Sequence, residues 1–209
     1  MIAIIDYKAG NLRSVELALQ KIGVECVITS DKEVIESAER VIFPGVGAAK
    51  AAMKSLTELN IGSILKDCID SGKPVLGICL GTQIIMESSE EDGGVKTLGL
   101  VKGKTIRFNF PAEEQLTVPE MGWNQVNFDN NHPVFKNIET GSNFYFVHSY
   151  FPKPENEENI LSTTEYGSIN FCSAITQGNL VATQFHPEKS GRHGLDLLKN
   201  FSKWDGKSC

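Results

Sequence analysis

Apolar positions in the first eighty residues fall into short unbroken runs separated by stretches of helical period. Residues 2–5 form such a run, which predicts a parallel strand buried on both faces. Leu12, Val15, Leu19 and Ile22 then recur at helical spacing, with Asn11 placed to cap the helix and Gly23 to end it. Residues 24–28 and 40–43 predict two further strands, and Pro44-Gly45-Val46-Gly47 reads as a loop before helical stretches that reach Gly72. Residues 74–78 form another apolar strand that runs straight into Cys79-Leu80-Gly81, after which residues 82–87 resume helical character.

The texture then changes. Segments 101–108, 123–128, 144–150, 168–175 and 180–185 are β-like, the last two joined by Gln177-Gly178-Asn179 as a hairpin turn. A final helix over 191–204 carries Leu195, Leu198 and Phe201 on one face. The pattern predicts an α/β fold in one domain, 1–209: a mostly parallel sheet with helices on both faces and additional antiparallel strands.

Composition narrows the function classes. Hydrophobic residues make up 41% and charged residues 22% of 209, which suits a folded domain with a buried core. A formal net charge of -6, with no basic run, argues against nucleic acid or an anionic membrane as partner. No segment has the length and apolarity of a membrane span or a signal peptide, so the expected location is the cytoplasm. The five cysteines, at 26, 68, 79, 172 and 209, show no CxxC spacing, so no metal site or disulfide framework is expected. Cys26, Cys68 and Cys172 sit in apolar patterns and read as core thiols, and Cys209 as exposed. His132 precedes Pro133 in a polar turn and reads as solvated, and His193 as a surface residue.

Two tripeptide-scale signals carry chemistry. Gly77-Ile78-Cys79-Leu80-Gly81 has the spacing of a nucleophile elbow with cysteine in place of serine. A strand ends, the chain turns sharply, and a helix begins, whose N-terminus favours thiolate over thiol. Gly-x-Cys-x-Gly also occurs by chance around a buried structural cysteine. His186-Pro187-Glu188 supplies the discriminating partner: Pro187 biases His186 to extended backbone, so residues two apart point the same way. Glu188 can then hold one imidazole nitrogen while the other faces the thiol, which makes Cys79, His186 and Glu188 the candidate triad. His148 is the rival base, but has no carboxylate two residues away. An oxyanion hole needs two backbone N–H groups; Leu80 supplies one and the glycine-rich loop, at Val46 or Gly47, the other. Gln83 lies one helical turn beyond Cys79 and either reaches substrate or is a partly exposed helix position.

Taken together these stretches resemble the class I, triad-type glutamine amidotransferases, whose fold is flavodoxin-like. Within them they are similar to the glutaminase subunits of imidazole glycerol phosphate synthase. Asp6-Tyr7, Gly10-Asn11-Leu12, Ser14-Val15, 44–47, 77–81 with Gln83, Met121-Gly122-Trp123-Asn124, 145–150 and 184–190 carry the likeness in order along nearly the whole chain. The resemblance implies hydrolysis of glutamine, without metal or organic cofactor. Ammonia would pass to a (β/α)₈-barrel cyclase in a heterodimer that closes the imidazole ring of histidine synthesis. It further implies that Gln83, Glu91 and the backbone around His148, Ser149 and Tyr150 hold glutamine, with Glu91 facing its ammonium group, and that Gly122, Trp123 and Asn124 lie towards the cyclase. The chain departs from the family pattern at Glu120, usually histidine, and at Thr82, commonly methionine. Subunits that supply ammonia for amidation of bacterial surface sugars, a stand-alone cysteine hydrolase and a catalytically silent binding subunit stay open as alternatives.

Overall fold

The computed structural model describes residues 1–129 and 131–207; Cys209 lies outside the described residues. The first part alternates as the pattern predicts: β1 (Ile2–Ile5), α1 (Leu12–Lys21), β2 (Cys26–Thr29), α2 (Lys32–Ser37), β3 (Arg40–Gly45), α3 (Ala49–Glu58), α4 (Ile61–Asp70), β4 (Val75–Cys79) and a short α5 (Leu80–Ile84). β1 pairs in parallel with β2 and β3, and β3 with β4. Each of these crossovers carries at least one helix, as parallel pairing requires.

The second part supplies β5 (Ser88–Ser89), β6 (Val95–Lys96), β7 (Gly103–Arg107), β8 (Glu120–Phe128), β9 (Ser142–His148), β10 (Tyr150–Pro154), β11 (Ile160–Tyr166), β12 (Ile169–Gln177), β13 (Leu180–Thr183) and α6 (Gly191–Phe201). β13 returns to lie parallel to β4, and β12, β11, β8 and β9 extend the sheet with antiparallel pairs. The order is β2-β1-β3-β4-β13-β12-β11-β8-β9, beside a small sheet β10-β7-β5-β6.

Strand alternation decides which layer each side chain joins. Ile2, Ile4, Ile42, Leu76 and Ile78 pack with Val15 and Leu19 of α1 and Leu197, Leu198 and Phe201 of α6. Ala3, Ile5, Val41, Phe43 and Val75 face the opposite layer with Ile35, Leu56, Ile64 and Leu65. Each fully buried Val, Leu, Ile or Phe contributes about 1.5–3 kcal/mol, so the two layers pin the central strands firmly.

Several local expectations are corrected. Asn11 occupies the N-cap of α1 but its side chain makes no capping hydrogen bond. The single strand expected over 144–150 is two strands, because β9 pairs with β8 while β10 pairs with β7 in the other sheet, and Ser149 makes the switch. Cys26 is only half-buried because β2 is the sheet edge, whereas Cys68 and Cys172 are buried. His132 is not solvated: it is buried against the Trp204 ring, 5.2 Å between centroids, and burial pushes its pKa down to about 4. The hairpin turn is as read, with Gln177 opposite Leu180 and Gly178 at φ 58°. No helix among the described residues is long and apolar enough to cross a membrane.

Candidate active site

Cys79 is the last residue of β4 and turns at φ 55°, ψ -107°, a conformation that costs a non-glycine residue about 1–3 kcal/mol. The flanking glycines make the turn possible. A Cβ on Gly77 would lie 2.9 Å from Ala182 Cβ on β13, and one on Gly81 only 2.1 Å from the Phe43 carbonyl oxygen on β3. α5 starts directly after Cys79, two residues earlier than expected, and is five residues long. So short a helix carries little macrodipole, which leaves activation of Cys79 to a neighbouring side chain.

That neighbour is His186. It follows β13, and β13 lies parallel to β4 with Thr183 opposite Ile78, so the sheet ladder itself carries the imidazole to the thiol. The main chain at 186 is clamped: His186 N donates to the Tyr145 carbonyl at 2.9 Å, and Ser190 Oγ donates to the His186 carbonyl at 2.6 Å. Nδ1 is 2.7 Å from Glu188 Oε1, with both side chains 2% exposed. Nε2 has no hydrogen-bonding partner of good geometry and is left for the thiol. Burial works against charge on this imidazole, yet Cys79 and Glu188 outweigh it and raise the pKa to about 10. The arrangement favours an imidazolium facing the Cys79 sulfur.

The thiol is 7% exposed, at a cavity of ≈ 330 Å³. Val46, Gly47 and Leu80 line that cavity together with Gln83, Glu91, His148, Ser149 and Tyr150. Gln83 is buried, and its Nε2 donates to the Tyr150 carbonyl at 2.8 Å and to Gln184 Oε1 at 3.1 Å. Glu91 accepts the Ala49 N–H at 2.6 Å, capping α3 where Ala48 offers no side-chain acceptor. Glu188 stands behind His186 and does not line the cavity.

The 122–124 stretch lies on β8, outside the cavity. Trp123 is 57% exposed and meets Tyr145 edge to face, while Lys189 Nζ sits 5.8 Å from the Tyr145 ring centroid. Asn124, one residue on, points inward; its Nδ2 donates to Glu120 Oε1 at 2.9 Å and to the Glu165 carbonyl at 2.8 Å.

Sequence reasoning gives no role to Gln184, whose Nε2 donates to Cys79 Sγ at 3.8 Å. The signal is available, since a glutamine two residues before His186 shares its face in an apolar strand. Nor does it give one to Tyr7, which is fully buried with an unpartnered hydroxyl, and whose pKa burial and Cys79 push up. Among the described residues no three His, Cys, Asp or Glu side chains gather as a metal site.

The family model described as "Glutamine amidotransferase class-I" matches residues 3–204. The chain belongs to that family. The chain is 46% identical over 205 residues to "Imidazole glycerol phosphate synthase subunit HisH" of Acinetobacter baylyi, covering 98% of each chain. The protein of the same name from Maridesulfovibrio salexigens is 48% identical over 208 residues, covering 98% of this chain and 97% of its own. Among solved structures, a crystal structure of a glutamine amidotransferase superposes with TM-score 0.75 at 19% identity over 99% of this chain and 100% of its own. The structure of PurLQS from Thermotoga maritima gives 0.71 at 18%, over 96% of each chain. At such identities the solved structures show the shared amidotransferase fold.

Proposed function

We propose that this chain is the glutaminase subunit of an imidazole glycerol phosphate synthase, releasing ammonia from glutamine at Cys79 for histidine biosynthesis. The observation that carries the reading is the buried imidazole of His186, held by Glu188 at 2.7 Å, beside a cysteine in a strained elbow at the cavity. The thiolate attacks the side-chain amide carbon, and the developing oxyanion is met by backbone N–H groups at Leu80 and at Val46 or Gly47. Collapse breaks the C–N bond, and the His186 imidazolium gives its proton to the departing nitrogen, which leaves as ammonia. The now neutral imidazole takes a proton from water, whose oxygen attacks the γ-glutamyl thioester. The C–S bond breaks, glutamate leaves, and thiolate and imidazolium are restored. No cofactor enters these steps.

The relatives are subunits of a synthase, so this chain works with a partner subunit. We take that partner to be a (β/α)₈-barrel cyclase that receives the ammonia in the cytoplasm. The exposed Met121 and Trp123 beside the cavity are the surface offered to it, with Gly122 between them. Asn124 supports that strand from within rather than presenting its side chain. The names of the relatives favour histidine synthesis over surface-sugar amidation. Incubation with glutamine, alone and with the candidate cyclase, tests the reading through glutamate release. Folded protein that yields no glutamate under either condition overturns it.

A further inference from the structure

The cavity wall contains a second imidazole held by a second glutamate. Glu120 and His148 stand directly opposite each other on β8 and β9. Both are buried, and Glu120 Oε2 lies 3.1 Å from His148 Nε2. The phenyl rings of Phe108, Phe146 and Phe171 surround the imidazole, with centroids 5.2, 5.6 and 5.3 Å away. Its other nitrogen, Nδ1, is 2.8 Å from the carbonyl oxygen of Tyr150.

The proton positions follow from the partners. A carbonyl oxygen has no proton to give, so Nδ1 is the donor to Tyr150. Nε2, on the far side of the ring, faces the Glu120 carboxylate at 3.1 Å, which fixes the orientation of the imidazole and of its tether to Tyr150. His148 ends the strand in the nine-stranded sheet and Tyr150 starts the one in the small sheet, so the tether spans the switch at Ser149. The same carbonyl also accepts from Gln83, which is bonded in turn to Gln184 beside the thiol. The wall at 149–150 is thus fixed to the floor that carries Cys79.

We propose that His148, oriented by Glu120, is a positioning residue for glutamine: its Nδ1 holds the Ser149–Tyr150 wall at the distance from Cys79 that substrate binding needs. This rests on the glutaminase reading above. Glu188 holds an imidazole that reacts; Glu120 holds one that keeps a wall in place.

Two substitutions at one position separate the tether from mere packing. The amide of asparagine can replace Nδ1 and still reach Tyr150, whereas that of glutamine replaces Nε2 and serves Glu120 instead. Glutamine affinity is read as the concentration that halves alkylation of Cys79 by iodoacetamide, alongside KM and kcat in the complex with the cyclase. His148→Gln is expected to raise the half-protecting concentration and KM about tenfold with kcat within about threefold, the effect of one lost buried hydrogen bond. His148→Asn should stay within about threefold of wild type in both. Equal rises in the two variants, no rise in His148→Gln, or a fall confined to kcat would overturn the proposal.

Should a His148 variant not fold, Glu120→Gln decides, since it keeps the size of the side chain and replaces the carboxylate that faces Nε2 at 3.1 Å. It is expected to raise KM about threefold, and an unchanged KM counts against the pair. If the wild-type protein releases no glutamate and its thiol is not protected by glutamine, the glutaminase reading fails and this proposal falls with it, whereas a wild-type protein that passes both tests leaves the His148 and Glu120 variants to decide the proposal alone.

Discussion

Replacing Gly81 by alanine tests whether the elbow is held by backbone packing. The new Cβ would stand 2.1 Å from the Phe43 carbonyl oxygen and 3.2 Å from its carbon. Both are main-chain atoms of β3, so no rotamer change relieves the clash, and α5 and β3 must part by about 1 Å to restore ordinary contact. Overpacking of this kind costs about 1–3 kcal/mol, which for a chain of this size lowers Tm by about 2–12 °C. The movement also shifts the ends of β3 and β4, which carry the loop at Val46 and the thiol. A misplacement of about 1 Å at reacting groups costs on the order of 10² in rate. Gly62→Ala is the control, because its Cβ would meet only the tip of the Leu98 side chain, at 2.9 Å. There Tm should hold or rise slightly, since alanine is favoured over glycine in a helix by about 0.5–1 kcal/mol. The measurements are thermal unfolding by circular dichroism and glutamate release in the complex. A Gly81→Ala protein with wild-type Tm and wild-type turnover would refute the reasoning, as would equal damage from Gly62→Ala.

Further expectations concern charge and assembly. Cys79→Ala should retain the fold, release no glutamate, and lower the His186 pKa as its Cys79 partner is lost; nitrogen NMR of the imidazole reads this directly. Because the folded pKa of His186 is raised from 6.5 to about 10, the stability it contributes is complete below pH 6.5 and is lost as pH rises through 10. Glutaminase turnover should accordingly keep its proton donor until pH approaches 10, and Glu188→Gln should move that alkaline limb to lower pH and reduce kcat by on the order of 10²–10⁴. An unmoved limb in that variant would mean that Glu188 does not hold the imidazole's charge. Trp123→Ala should weaken association with the cyclase by about 2 kcal/mol or more, measured by titration calorimetry, and leave Tm unchanged.

What the sequence makes legible follows from the range of the interactions. The Cys79 elbow and the His186–Glu188 pair are legible because each is local in sequence, but the backbone joining the pair is not the extended one expected: Pro187–Lys189 form a 3₁₀ turn with His186 at its N-cap, and that turn brings Glu188 back to the imidazole. β1, β3 and β4 are readable because a parallel strand buried on both faces is apolar along its buried length, whereas β2, the half-buried edge, is readable from its apolar β-branched residues. His148 shows the limit. It has no carboxylate two residues away, yet its carboxylate stands across the β8–β9 ladder at Glu120, and no local pattern announces that register. The break at Ser149 is hidden for the same reason: apolar residues continue on both sides, and only the change of pairing partner reveals two strands. His132 looks polar and exposed in its turn because Trp204, which covers it, arrives from the far end of the chain.

The adjacency of β4 and β13 has a consequence for how this protein comes into being. Neighbours in the sheet, these strands are among the most distant in synthesis, because every residue from Leu80 to Asn179 emerges between them. Closing so long an excursion is slow compared with forming the local β–α units upstream. A growing chain therefore carries its cysteine for most of its birth without the imidazole that charges it. On the mechanism proposed above, turnover switches on only when the last strand docks, so an unfinished or misassembled copy wastes no glutamine.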